Sequence, residues 1–200
     1  MKIEKPDILY HTTRPQTAFE INSKFWFSKP LFTDLFGFNP VSFERETIKK
    51  EFTENNYSKG IVMTLAWGYP QSMRRFRPTT EKVEFVQTFL QGSTQLNDSS
   101  LFQKFGGLLQ IDGLGPSTIT KLLFFAGFTY KNIPCLILDD RVKESMCYYD
   151  DFKEVIKSYN NNKVSTYIKY LNKMNKLATQ FDITHEQLEL FLFNQVWQSK

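Results

Sequence analysis

Leu108-Leu109-Gln110-Ile111-Asp112-Gly113-Leu114-Gly115-Pro116-Ser117-Thr118-Ile119-Thr120-Lys121 reads as the end of one helix, a tight turn and the start of another. Two glycines at alternate positions let the backbone turn through angles that a side chain resists. Pro116 suits the first helical position, because its missing N–H would be unpaired there anyway. The second helix is thus aimed outward by its N-terminus. Its first amides, those of Gly115, Ser117 and Thr118, are placed to hold a phosphate oxygen with help from the helix dipole. Such a contact grips a backbone and reads no sequence. The plainer alternative is a helix–helix corner with a glycine turn and no ligand.

Helical patterns surround this stretch. Upstream, one helix is expected from Ser42 to about Asn55-Asn56, with Phe43, Thr47 and Phe52 among charged residues. A shorter apolar helix runs from Gly60 to Trp67 and stops at Gly68-Tyr69-Pro70, leaving residues 68–78 as a loop. Thr79 or Thr80 caps a helix carrying Val83, Val86, Phe89 and Leu90 that Gly92 ends, and Asp98 or Ser99 opens the next. Downstream, helices are expected over roughly 139–149, 151–159, 164–180 and 184–197, the last opening on the capping box Thr184-His185-Glu186-Gln187. Strand-like alternation is confined to short runs such as Cys135 to Leu138. The fold class is all-α. Residues 1–42, aromatic but broken by Pro15, Pro30, Gly37 and Pro40, are expected as an irregular arm packed on a helical domain over 43–200.

Composition narrows the partners. A chain of 200 residues buries about 70% of its unfolded surface, so it needs no disulfide or metal to fold. Two cysteines, Cys135 and Cys147, are too few for a four-cysteine zinc site or an iron–sulfur cluster and read as reduced core thiols. No metal or other cofactor is expected. The net charge of +4 is spread evenly over the two halves, which permits nucleic acid as a partner without requiring it. No run of eighteen apolar residues is present and the N-terminus is charged, so no membrane partner and a cytoplasmic monomer are expected.

Past the second helix of the hairpin come a Pro-containing loop and Leu138-Asp139-Asp140-Arg141-Val142-Lys143. A Gly-x-Gly-x-x-Thr hairpin, an apolar helix and then Asp-x-x-Val-Lys opening a helix resemble the helix-hairpin-helix, Gly/Pro-Asp superfamily of DNA glycosylases. The matching core spans about residues 100–146. Trp67-Gly68-Tyr69-Pro70 ahead of the hairpin further resembles short bacterial proteins with an 8-oxoguanine-glycosylase fold. The resemblance implies double-stranded DNA as partner, a phosphate grip at Gly113, Leu114 and Gly115, and a catalytic carboxylate at Asp139, with Asp140 as its rival. The family's nucleophilic lysine, where present, stands two residues after the second glycine; this chain has Ser117 there. That implies hydrolysis to an abasic site rather than strand cleavage, tempered by Lys121, four residues after Ser117 on the same helical face. The alternative for Lys121 is a structural or phosphate-facing lysine.

Cleaving a base from deoxyribose builds positive charge on the sugar, which a nearby carboxylate stabilises. The base is out of reach inside the duplex and must be flipped into a pocket. Trp67 and Tyr69, at a helix–loop junction, are candidates for pocket wall or wedge, with core packing as the alternative for Trp67. Arg74, Arg75 and Arg77 around Phe76 are candidates for phosphate contacts. This reading needs Asp139 on the open side of the Gly-Leu-Gly turn. An Asp139 pointing away from that side, or locked in an ion pair under the core, would end the enzymatic reading and leave a non-catalytic DNA-gripping module of a repair, restriction or phage-defence system.

Overall fold

The computed structural model describes residues 2–5, 8, 19–73, 75–159 and 162–195. Among them the core is helical with two small sheets, in agreement with the all-α reading. In chain order the elements are β1 (Phe19–Ile21), α1 (Lys24–Phe27), α2 (Pro30–Phe36), β2 (Val41–Phe43), α3 (Arg45–Thr53), α4 (Tyr57–Gly68) and α5 (Thr80–Leu90). Then follow β3 (Gln95–Leu96), α6 (Asp98–Leu109), α7 (Pro116–Phe125), β4 (Thr129–Tyr130), β5 (Ile133–Pro134) and α8 (Asp140–Met146). A 3₁₀ turn (Asp150–Phe152), α9 (Lys153–Ser158), α10 (Lys163–Phe181) and α11 (His185–Gln195) complete the described chain.

Helix α4 is apolar around its whole circumference, so it lies at the centre, buried from Gly60 to Trp67 and packed on α3, α5 and α7. Gly60 lets α3 come close: a Cβ there would stand 2.9 Å from the Phe52 ring. Helix α7 packs on α3, α4 and α6 and is buried from Thr118 to Phe125, Lys121 included. The long α10 turns Tyr167, Tyr170, Leu171 and Met174 inward and packs on α6, α9 and α11, and α11 in turn covers α8.

Several local starts differ from the sequence reading. Val41-Ser42-Phe43 alternates in and out and pairs antiparallel with β1, Phe19 opposite Phe43, so α3 opens only at Arg45. Helix α6 is capped by Asn97, which accepts from the Ser100 amide while Ser100 Oγ accepts from the Asn97 amide. The expected box at the start of α11 forms, with Thr184 and Gln187 each bonding the other's amide. Cys147 is exposed, whereas Cys135 lies in the core with its thiol pushed up to about 12 by burial. Among the described residues no helix is long and apolar enough to cross a membrane.

The segment 135–138 belongs to neither sheet, and its first amide, that of Cys135, meets the Phe128 carbonyl at 2.8 Å. Side chains from three helices satisfy further backbone groups. Tyr167 Oη donates to the Leu136 carbonyl at 2.8 Å and Tyr170 Oη to that of Ile137 at 3.0 Å. Glu189 accepts from the Ile137 amide at 2.8 Å and Thr120 Oγ1 from that of Leu138 at 3.1 Å. Buried backbone groups demand such partners, and here they fix the direction in which the chain delivers Asp139.

Candidate functional site

The hairpin turn is built from its two glycines in different ways. Gly113 has φ +86°, and a Cβ there would stand 2.6 Å from the backbone of Arg75 and Phe76, so both angle and packing require glycine. Gly115 caps α7 in an extended conformation, and a Cβ there would meet nothing within 4 Å. Its face is open. Leu114 is buried and anchors the turn in the core, while its amide closes the turn on the Ile111 carbonyl at 3.0 Å. Of the three amides expected to be free, that of Thr118 donates to the Gly115 carbonyl at 3.0 Å. Those of Gly115 and Ser117 have no protein partner among the described residues.

One turn below the open amides lies a buried ion pair. Lys121 Nζ donates to Ser117 Oγ at 3.0 Å and to Asp139 Oδ2 at 3.1 Å, with the two charged side chains only 5% and 13% exposed. Gly68 makes room for the lysine stem, since a Cβ there would stand 3.0 Å from Lys121 Cδ. Asp139 also caps α8, its Oδ1 accepting from the amides of Arg141 and Val142, both at 3.1 Å. Burial pushes its carboxyl upward, but the Lys121 charge and the Val142 amide outweigh that and hold it below the ordinary carboxylate range. Asp139 is therefore ionised at neutral pH. The open carboxylate expected from sequence is instead a paired one, because the spacing of Lys121 brings its ammonium over the start of α8. Asp140, the rival acid, is exposed and pairs with Lys143 at 2.9 Å.

A groove of about 850 Å³ is lined by Ser117 but by neither Lys121 nor Asp139, which lie behind it and reach it through the Lys121–Ser117 hydrogen bond. Residues 112–118 form one wall, Tyr69 and Arg75 of the preceding loop contribute, and Asp140 and Tyr159 come from the α8–α9 part of the chain. The family of the chain is decided by a match over residues 26–193, which takes in every part of this groove, to a family model described as "Putative 8-oxoguanine DNA glycosylase OGG-like protein". The chain belongs to this OGG-like family. No curated protein and no solved structure matches it. At family level it is a DNA glycosylase-like protein, with DNA the partner that membership implies.

On this OGG-like chain the remaining residues singled out in the sequence divide. Tyr69 lines the groove, and its hydroxyl meets Thr118 Oγ1 at 2.9 Å. Trp67 does not line it. Expected as a wall or wedge, it is 3% exposed and sits edge-on to Phe19 and Phe125, because α4 is buried all round and the chain turns outward only at Tyr69. Arg75 lines the groove, Arg77 is exposed away from it, and Arg74 lies outside the described residues. Sequence reasoning missed Thr120, whose hydroxyl donates to the Ser117 carbonyl and accepts the Leu138 amide, tying the hairpin to the segment that leads into Asp139. It also missed Glu189, fully buried, pushed up by burial against the pull of Arg45 at 2.8 Å, and bonded to Ile137. No periodic signal marks either; only the fold brings them to the segment before Asp139.

Proposed function

We propose that the protein is a DNA glycosylase that hydrolyses the N-glycosidic bond of a damaged or modified base flipped out of duplex DNA, leaving an abasic site. The observation that carries this reading is the OGG-like family match over residues 26–193, which spans the hairpin, the groove and Asp139; Asp139 lies behind the groove, joined through Lys121 to the groove-lining Ser117. A backbone phosphate sits on the Gly115 and Ser117 amides and the α7 dipole, which sets the adjoining sugar over the pair. As the C1′–N bond breaks, its electrons leave with the base and positive charge grows on the sugar. The Asp139 carboxylate stabilises that charge and takes the proton of the water that bonds to C1′. Lys121 keeps the acid ionised and is itself aimed by its other hydrogen bond, to Ser117. Tyr69 and Arg75 flank the flipped nucleotide and its phosphates. The family description makes an oxidised purine the first substrate to test, ahead of an alkylated base or a bulky modified cytosine.

A second reading, a non-catalytic DNA-binding module, is favoured by the buried ion pair that the sequence reading set against catalysis: both oxygens of Asp139 are already engaged by the protein itself. Incubation with a panel of modified-base duplexes separates the two. Glycosylase action gives a released base by mass analysis and strand breaks after alkali; duplex binding with neither product means the module. Borohydride trapping in the same assay tells which group attacks. Hydrolysis leaves no adduct, whereas a covalent protein–DNA adduct lost in Lys121→Gln would make Lys121 the nucleophile.

A further inference from the structure

The wall of the groove furthest along the chain carries an arrangement that base release does not use. Tyr159, which closes α9, lines the groove together with Asp140. Two ammonium groups lie over its ring, Lys143 Nζ at 4.1 Å and Lys163 Nζ at 4.3 Å from the centroid. Lys143 also donates to Asp140 at 2.9 Å, and Lys163 to the Tyr159 carbonyl at 2.8 Å. Contacts with the ring hold two long side chains that would otherwise stay mobile. The position of Lys163 is informative in itself. It is the first residue of α10, where a cation opposes the helix dipole, and its bond to the Tyr159 carbonyl offsets only part of that. A fixed pair of cations, one of them at an unfavourable helix end, held over a ring that lines the groove is an arrangement that suits an anion.

We propose that Lys143, Lys163 and Tyr159 form a second backbone-binding wall, on which a phosphate of the strand leaving the hairpin meets the two ammonium groups and its sugar or base packs on the Tyr159 ring. The proposal rests on the reading that this groove holds DNA. Asp140 supplies a contrast of opposite sign: its side chain is 91% exposed, lines the same groove and repels a phosphate placed there.

The test is the affinity of the full chain for a duplex holding a stable abasic-site analogue, measured from about 50 to 200 mM salt. Lys163→Gln flattens the plot of log affinity against log salt by about 0.9, one released counterion. Lys143→Gln flattens it by less than about 0.9, because Asp140 already neutralises part of that charge. Lys163→Arg keeps the slope, and Asp140→Asn tightens binding several-fold. Lysine variants with the wild-type slope, together with an Asp140→Asn affinity equal to wild type, overturn the second wall. If Gly115→Ala still weakens binding in that case, the hairpin reading survives and only this wall fails; a wild-type chain that binds no duplex removes both.

Discussion

An ammonium and a carboxylate 3.1 Å apart and nearly out of water stabilise the fold only as a pair. Removing one leaves the other charged in a poor solvent, at a cost of about 3–5 kcal/mol. Lys121→Met is expected to lower the unfolding free energy by that amount in urea titrations, and Lys121→Met with Asp139→Leu to recover all but the roughly 1 kcal/mol of the lost helix cap. The pH dependence follows from the lowered carboxyl of Asp139. A group whose folded value lies below its unfolded one adds stability above the unfolded value, here 3.8, and loses it as pH falls through the folded value. The advantage of wild type over Asp139→Asn is therefore expected to be constant from about pH 5 to 8 and to shrink below about pH 4. In the sequence Asp139 was the candidate and the adjoining Asp140 its rival. What separates them is the direction given to the chain by Thr120, Glu189 and Tyr170, contacts that join residues distant along it.

The two glycines of the hairpin belong to the scale of the element, and they make opposite predictions. Gly113→Ala meets a left-handed backbone angle and the backbone of Arg75, so thermal unfolding is expected to show a loss of at least about 1–3 kcal/mol. Gly115→Ala meets open space at a negative φ and costs under about 1 kcal/mol, but its methyl group stands where the phosphate would approach, so duplex affinity falls. The alternate glycines and Pro116 made this element readable before any coordinates, because their constraints are local. The same holds for the Thr184 box. Strand β2 was hidden because Val41-Ser42-Phe43 is short and its partner β1 lies some twenty residues earlier. Helix α6 opens at Asp98 as the sequence reads, but its cap, Asn97, was not legible because the box is closed by serine instead of the longer side chain that usually marks one.

At the scale of the whole molecule, the Arg45–Glu189 pair joins α3 to α11, and Glu189 reaches from there to Ile137 beside the site. Glu189→Leu breaks the pair and leaves the Ile137 amide unmet. Calorimetry is expected to show a midpoint lower by roughly 10 °C, with Glu189→Gln retaining part of the difference through its remaining acceptor. Chain length announced a large core but not that Trp67 would join it, since a helix that is apolar all round gives no sign of which end meets water. The groove is likewise a product of assembly, with walls drawn from α7, the loop after α4 and the end of α9. Its chemistry is tested most directly by single-turnover base release from a substrate duplex, wild type against Asp139→Asn, with duplex affinity measured in parallel. The account predicts that release falls by about 10² or more while affinity stays within a few-fold; release at the wild-type rate by the variant would contradict it.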